Sequence, residues 1–291
     1  MRAFCRIVER GSIARAAEDL AVSPGLLSRE LKLLETSLGC SLLSRTTRRM
    51  SLTGHGQIYY EDARQIIDDL ARAEERVRAG AGVIGGLLRV NAPHSFGTTV
   101  LSATLPQFLA RYPEVQLSLS FDDHVIDMIE GGFDLSIRIR AELPDSGIVA
   151  RRIGGVRQGL FAAPAYLETR GSPTSPEELH AHDLVAYALS DTPGSWMLRG
   201  AERTEAVEIS PRLRLGSSVV LRDMLVAGQG IGALPDFLST PAVEAGRLMR
   251  VLPGWEMPER TIYAVTASRL GADAKTLAFI DFLRCVVSPH S

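Results

Sequence analysis

The feature that most constrains this chain lies near its amino end, in Gly11 to Arg49, where two short helical patterns are separated by a tight turn. In the first pattern Ser12 is a candidate N-cap, and apolar residues follow it at helical spacing. In the second, Ser23 supplies a capping hydroxyl, and Pro24 takes the first helical position, where no N–H is needed. The pattern ends at Gly39, which permits a left-handed C-cap. Two helices joined in this way predict a helix-turn-helix.

The start of the second helix is small and basic once its leucines are buried. Arg29 can bind a guanine edge through two hydrogen bonds or contact a phosphate, and Ser28 can donate to either. The alternative is that Arg29 and Lys32 only solvate the helix surface. The candidate DNA contacts on this helix are Ser23, Pro24, Gly25, Ser28, Arg29 and Lys32.

A basic hairpin follows the second helix and favours the DNA-binding interpretation. Leu42 and Leu43 precede three arginines and two threonines within a few residues. Guanidinium groups on a small wing beside a helix-turn-helix are typical of phosphate or minor-groove contacts. The candidate wing contacts are Arg45, Thr47, Arg48 and Arg49.

Charge and composition agree with a DNA-binding region at the amino end of the chain, followed by a larger region that does not bind DNA. Residues 1–60 hold nine Lys and Arg against five Asp and Glu, whereas the rest of the 291 residues hold 23 against 29. No apolar run reaches the length of a membrane span and no signal-peptide pattern is present, so we expect a cytoplasmic protein. Cys5, Cys40 and Cys285 have neither pairing nor metal spacing and are expected to be buried thiols.

Residues 55–79 form one long polar helical pattern that carries a narrow apolar stripe. The apolar residues recur at alternating steps of three and four, as in a coiled coil. The helix could pack on its own domain, but a stripe this narrow favours a seam with a second copy. We therefore predict a homodimer, with a homotetramer left open. The candidate dimerisation residues are Tyr59, Ile66, Leu70 and Val77.

A glycine-rich stretch, Gly80 to Gly86, follows the long helix and matches the spacing G-x-G-x-x-G. A dinucleotide-binding fingerprint must follow a strand and open a helix, whereas this stretch follows a helix and opens a strand. We therefore interpret it as a flexible linker.

From Leu87 onward short apolar strands alternate with helices, which predicts a mostly parallel sheet of βαβ units. A second set begins near Leu160, and a final strand and helix return to one of the two sets. Two α/β lobes joined by crossing strands would enclose a cleft. The first set is predicted as strands 87–92, 115–121 and 133–139 with helices 98–112 and 125–130, and the last two helices as 219–227 and 275–286.

Two predicted helix starts carry hydroxyls where strands end, at residues 95–98 and 217–218. Free N–H groups and the helix dipole favour an anion there, and strand ends of this fold face the cleft. Plain helix capping is the ordinary alternative. A small carboxylate with its apolar body against Phe96 or Phe121 is the predicted ligand, and Arg138 could pair with it or with Asp134 or Asp122. The candidate effector contacts are Ser95, Phe96, Thr98, Phe121, Asp122, Arg138, Ser217 and Ser218.

Catalytic motifs are weak in this sequence. It contains no G-x-S-x-G, no H-E-x-x-H and no P-loop. His180 and His182 with Asp183 lack a third metal ligand at suitable spacing and are interpreted as a surface turn. We expect no catalytic residue, no cofactor and no metal.

The sequence resembles the LysR-type transcriptional regulator family over nearly its whole length. The resemblance rests on GSIARAAEDLAVSPGLLSRELKLLETSLGCSLLSRTTRRMSLTGHG, LLRVNAPHSFG, FDLSIRIR, ARRIGG and GIGALPDF. The chain departs from the family at Glu30, where Gln is frequent, and at Arg140, which ends a segment that usually reads IRIG.

The resemblance implies an α+β multidomain protein. It would comprise a winged helix-turn-helix (1–54), a linker dimerisation helix with its hinge (55–86) and a two-lobed, periplasmic-binding-protein-like effector domain (87–291). Lobe I would span about 87–157 plus the C-terminal segment, and lobe II about 158–262. Since the first helix of the family begins several residues earlier, we expect a natural start codon upstream of Met1.

The predicted function is sequence-specific transcription regulation in a bacterium. The chain would bind double-stranded promoter DNA of dyad symmetry and contact RNA polymerase, and a small organic anion would modulate the binding. The alternative is a solute-binding or enzymatic α/β module with a DNA-binding appendage.

Overall fold

The computed structural model describes residues 1–46, 49–80, 84–124, 132–142, 148–267 and 272–287. The chain divides into two compact units, 1–83 and 84–291. The predicted wing residues Thr47 and Arg48, the centre of the predicted linker and the predicted helix 125–130 lie outside the described residues.

The first unit is a helix-turn-helix with a two-stranded hairpin and a long helix. Its elements are α1 (Arg2–Arg10), α2 (Ile13–Asp19), α3 (Pro24–Leu38), β1 (Leu43–Thr46), β2 (Arg49–Leu52) and α4 (Gly54–Gly80). The strands β1 and β2 pair antiparallel. The long helix therefore belongs to the same compact unit as the helix-turn-helix.

Local chemistry sets the ends of these helices. The Ser23 hydroxyl accepts a hydrogen bond from the Leu26 N–H at 3.2 Å, and Pro24 begins α3. Gly39 ends α3 in the left-handed conformation, with φ of 67°. Ser12 stands at the N-cap of α2 but its side chain makes no capping hydrogen bond. The Thr53 hydroxyl caps α4 by accepting from the Gly56 N–H at 2.9 Å.

The core of the first unit joins all of its helices. Phe4, Ile7, Leu27 and Leu31 are almost fully buried, together with Ala63 of α4. Leu38, which continues the apolar face of α3 into its last turn, is 43% exposed, because the core cluster of this unit does not extend to the end of the helix.

The second unit contains two five-stranded sheets and a separate two-stranded sheet. Its strands and helices are β3 (Gly86–Ala92), α5 (His94–Phe96), α6 (Ser102–Arg111), β4 (Val115–Phe121), β5 (Leu135–Arg140), β6 (Ile148–Val156), β7 (Gln158–Ala162), α7 (Pro164–Arg170), β8 (Leu184–Tyr187), β9 (Ser195–Arg199), β10 (Thr204–Glu208), β11 (Leu213–Leu215), α8 (Ser218–Val226), β12 (Ile231–Pro235), α9 (Asp236–Glu244), β13 (Met249–Val251), β14 (Arg260–Ala267) and α10 (Ala274–Val287). A π-helical turn, Gly97–Leu101, joins α5 to α6, and a 3-10 helix, Pro176–Ala181, follows α7.

Both sheets are mixed, which corrects the prediction of a mostly parallel sheet. The first sheet has the order β4-β3-β5-β14-β6, with β14 antiparallel to both of its neighbours. The second has the order β11-β8-β12-β7-β13, with β7 antiparallel to β12 and β13. The antiparallel pairs involve the strands beside the crossings between the sheets, where the chain enters the second sheet at β7 and returns at β14.

The first crossing is tight. Only Arg157 separates β6 in the first sheet from β7 in the second. Its N–H donates to the Asp236 carboxylate at 3.2 Å, and its carbonyl accepts from the Asp236 N–H at 2.9 Å. Both backbone groups of the crossing residue are therefore held by the first residue of α9.

Most predicted elements of the second unit are present with shifted ends. The strands at 87–92 and 115–121 are confirmed, whereas the third begins at Leu135. The helix predicted from residue 98 begins at His94, because the π-helical turn carries it on without a break. The strands β6, β9 and β13 were not predicted.

Two further sequence expectations concern the cysteines and the membrane. Cys5 is buried, but Cys40 is only partly buried and Cys285 is exposed, so the expectation of three buried thiols is wrong. Within the described residues, no helix combines the length and the apolar character needed to cross a membrane.

We predict that Gly56→Ala destabilises the first unit by about 1–3 kcal/mol, the usual cost of overpacking. A Cβ at this position would overlap the carbonyl oxygen of Leu42, which is backbone and cannot turn away. Thermal unfolding followed by circular dichroism measures the effect. Gly54→Ala is the matched control, since a Cβ there meets nothing within 4 Å. Equal melting temperatures for the two variants would contradict the prediction.

Candidate functional site

The outward face of α3 carries most of the predicted DNA contacts. Ser23, Pro24, Gly25, Arg29 and Lys32 are exposed, and Ser28 is half-buried. Leu33, which is 63% exposed, belongs to the same face. It was predicted neither as a buried leucine nor as a DNA contact. Leu27 and Leu31 hold the opposite face in the core, so the basic side chains point to solvent.

A carboxylate of α3 fixes the start of the hairpin. Glu35, near the end of α3, accepts hydrogen bonds from the N–H groups of Leu42 and Leu43 at 2.8 and 3.2 Å. Both leucines are buried. The hairpin is therefore attached to α3 by packing and by hydrogen bonds from its backbone N–H groups to the Glu35 side chain, a role that no local pattern in the sequence indicated.

Two of the four predicted wing residues, Arg45 and Arg49, lie in the strands of this hairpin. Arg45 is in β1 and Arg49 in β2, where Arg45 is paired with Met50 and Thr46 with Arg49. A two-stranded hairpin thus carries two of the arginines that were assigned to the wing.

The predicted dimerisation stripe of α4 divides into two parts. Tyr59 packs on Phe4, with ring centroids 5.6 Å apart, so it belongs to the core of its own unit and not to a free seam. This corrects its assignment, because α1 covers the start of α4. Ile66 and Leu70, 52% and 48% exposed, continue the stripe beyond that cover, and Val77 lies further along α4.

A cleft of about 250 Å³ lies in the second unit. Residues of both sheets line it, including Asn91, Ile137 and Ile139 from the first and Ala186 and Ala233 from the second. Aromatic rings contribute apolar walls, and several charged side chains face the same space. The aromatic residues of the lining are Tyr187, Trp196 and Phe237.

Four of the eight predicted effector residues line this cleft, namely Ser95, Asp122, Arg138 and Ser218. Ser95 is 5% exposed and follows the end of β3, whereas Ser218 is the first residue of α8. The structure therefore brings together two helix starts, at Ser95 and Ser218, that are more than 100 positions apart in the sequence.

The other four predicted residues do not line the cleft. Phe96 is 1% exposed and packs in the core against Phe237, with centroids 5.9 Å apart. The Phe121 ring lies against Gly97, where a Cβ would overlap it. The Thr98 hydroxyl donates to the His94 carbonyl at 2.8 Å. Ser217 accepts from the Val220 N–H at 3.5 Å, which is the capping alternative.

The pKa values of the two aspartates at one end of the cleft are shifted in opposite directions. Hydrogen bonds from the backbone N–H and the ring of His124 lower the pKa of Asp122. Burial raises the pKa of Asp123, whose carboxylate accepts from the His94 N–H at 3.0 Å. Burial, reinforced by the charge of Asp123, raises the pKa of Tyr187 to about 12, so its phenol stays protonated at neutral pH.

Two arginines of the cleft, Arg140 and Arg260, share one carboxylate, and the sequence did not indicate that they form a pair. Asp191 lies between them, with one carboxylate oxygen 3.2 Å from Arg140 and the other 2.8 Å from Arg260. Arg260 also donates from Nε to Gln158 at 3.1 Å. The departure from IRIG at Arg140 was the available signal, but nothing in the sequence indicated its partners.

The chemistry of the described residues offers no metal site. No group of three or more His, Cys, Asp or Glu side chains within them is placed to hold a metal ion. His182, half of the H-x-H pair, has its Nδ1 3.2 Å from the Tyr166 hydroxyl, and that oxygen accepts from the Asp183 N–H at 2.9 Å. His182 is thus part of a hydrogen-bonded turn that packs beside α7, whereas His180 is exposed.

Family models match both units. Residues 1–57 match the bacterial regulatory helix-turn-helix protein, lysR family, and residues 81–288 match the LysR substrate binding domain. An HTH-type transcriptional regulator of Xanthomonas campestris pv. campestris is 36% identical over 284 residues, covering 96% of this chain and 82% of that protein. CrgA of Neisseria meningitidis serogroup C is 34% identical over 282 residues, covering 96% and 93%.

Solved structures of full-length proteins are similar over nearly the whole chain. The structure of CrgA, a LysR-type transcriptional regulator from Neisseria meningitidis, is 33% identical with a TM-score of 0.65 and covers 98% of this chain and 97% of its own. AphB, the Vibrio cholerae virulence activator and a member of the LTTR family, is 27% identical with a TM-score of 0.62 and covers 98% and 97%.

Proposed function

This chain belongs to the LysR family of DNA-binding transcription regulators and carries an effector-binding domain, and we propose that it binds promoter DNA as a dimer under the control of a small organic anion. The observation that carries the proposal is that the same chain has exposed Arg29 and Lys32 on α3 and a partly apolar cleft that contains arginines. The regulator would act in the cytoplasm, where it reaches DNA and RNA polymerase.

We propose that α3 lies in the major groove. Gly25 and Ser28 leave room at its start for close approach to the duplex, and Arg29 projects from the exposed face toward base edges. The hairpin held by Glu35 would place Arg45, Thr47, Arg48 and Arg49 along the neighbouring backbone. Two such heads in a dimer match a promoter with dyad symmetry.

We propose that the effector occupies the cleft between the two sheets. A carboxylate fits beside Ser95, Ser218 and the arginines, and an apolar body fits against Trp196 and Phe237. An effector that binds one arrangement of the sheets more tightly shifts the population of the dimer toward that arrangement, which changes the spacing of the DNA heads.

We predict that Arg29→Ala weakens binding to the DNA upstream of its own gene by about 1–3 kcal/mol and weakens binding to random DNA much less, because a base contact is lost. Fluorescence anisotropy at several salt concentrations measures both. Lys32→Ala is the comparison, and it is expected to weaken both DNAs alike and to flatten the salt dependence. Equal losses on both DNAs for Arg29→Ala would contradict base reading.

We predict that Leu70→Glu converts the dimer to a monomer and lowers DNA affinity together with it. A charge on the exposed apolar stripe cannot be buried against the same stripe of a second copy. Gln65→Glu is the control, since it adds the same charge at an exposed polar position of α4. Light scattering and DNA titration read both properties. A Leu70→Glu protein that stays dimeric and binds normally would refute the seam.

We predict that a carboxylate effector changes the fluorescence of Trp196 only. The chain has two tryptophans; Trp196 lines the cleft, whereas Trp255 packs outside its lining, near Arg203. A panel of small organic acids is titrated into Trp255→Phe, where Trp196 is the remaining probe, and into Trp196→Phe as the control. A response of equal size in both variants would place the ligand elsewhere.

A further inference from the structure

The turn between β8 and β9 places a carboxylate inside the cleft. Asp191 contacts Arg140 at the end of β5 and Arg260 at the start of β14, through different oxygens. The turn itself is held by its own contacts, since the Arg214 guanidinium donates to the Pro193 carbonyl at 2.6 Å. The carboxylate thus comes from the side of the second sheet and both arginines come from the first.

The two arginines are more enclosed than the carboxylate that they share. The side chains of Arg140 and Arg260 are 24% and 18% exposed, whereas Asp191 is 41% exposed. Two guanidinium groups in a partly desolvated space require an anion between them, because their charges repel and have lost part of their hydration. A carboxylate between two arginines is also the arrangement with which proteins recognise a carboxylate ligand.

We propose that Arg140 and Arg260 form a carboxylate-binding subsite of the cleft and that Asp191 is an internal substitute which the carboxylate of a ligand displaces. The proposal deepens the proposed function, on which it rests, because it assigns the anion of the effector to this arginine pair. It also assigns a role to Arg140, the residue at which this chain departs from the usual IRIG segment.

This arrangement defines the class of ligand. An internal carboxylate competes at a high effective concentration, so a ligand must add contacts that Asp191 lacks. The neighbouring walls are apolar and aromatic, formed by Ile139, Trp196 and Met257. The ligand is therefore a carboxylic acid with an apolar or aromatic body, and a small carboxylate alone displaces Asp191 poorly.

Displacement also changes a connection between the sheets. Asp191 follows β8 of the second sheet, whereas β5 and β14 belong to the first. When a ligand takes both arginines, the ion pairs that link this turn to the first sheet are replaced by contacts with the ligand. Occupancy of the subsite is thus coupled to the freedom of the turn.

The test is rescue of Asp191→Ala by acetate, which supplies the missing carboxylate without knowledge of the effector. Thermal unfolding of the full-length variant and of the wild type is followed in sodium acetate, sodium chloride and acetamide. We expect acetate to raise the melting temperature of the variant by several degrees more than that of the wild type. Chloride and acetamide should not distinguish the two proteins, which removes general salt and cosolvent effects.

Two controls localise the effect. The double variant with Asp191→Ala and Arg140→Gln should lose the acetate response, and Asp223→Ala should never show it, since Asp223 is an exposed residue that pairs with its neighbour Arg222. If Asp191→Ala does not fold, Asp191→Asn replaces it, because it keeps the shape and removes the charge. Acetate should then stabilise Asp191→Asn at concentrations about tenfold below those needed by the wild type.

An acetate response equal in variant and wild type, or unchanged in the double variant, would overturn the subsite. That outcome is separate from failure of the proposed function. The tryptophan titrations report whether any organic acid enters the cleft, whereas acetate rescue reports only whether the arginine pair binds a carboxylate.

Discussion

The second unit depends on the position of one strand. The chain leaves the second sheet after β13 and returns to the first as β14, which pairs there with β5 on one side and β6 on the other. Its inward residues Ile262 and Ala264 are almost fully buried, so the pairing is fixed by burial as well as by backbone hydrogen bonds. Because Arg260 begins this strand, the same pairing sets the place of a cleft arginine.

In the first unit, the Glu35 carboxylate has a comparable structural role. Glu35 is the acceptor for two successive N–H groups at the start of the hairpin, and those groups belong to buried leucines. A surface that reads a duplex needs its helix and its hairpin at a constant separation, since phosphate contacts only position the protein if the contacts are mutually rigid. Glu35 connects α3 to the hairpin directly, so the two elements do not depend on a flexible turn for their alignment.

The sequence allowed prediction of those features that depend on neighbouring residues. Ser23, Pro24 and Gly39 set the ends of α3, and alternating apolar runs indicated the strands, because capping and alternation are local signals. Side-chain destinations were less predictable. Phe96 entered the core and Thr98 bonded to the preceding turn, because the π-helical turn determines which residues face the cleft. Asp191 and Arg260 are 69 positions apart, and no local pattern joins them.

The single residue between β6 and β7 restricts how the two sheets can move. Arg157 has only its own two backbone torsions, and hydrogen bonds to Asp236 on both its N–H and its carbonyl limit them further. Translation of one sheet along the other would break this crossing, whereas a small angular swing about it would not. The two sheets are therefore tied together at this residue, so a change in the width of the cleft has to leave the backbone around Arg157 almost in place.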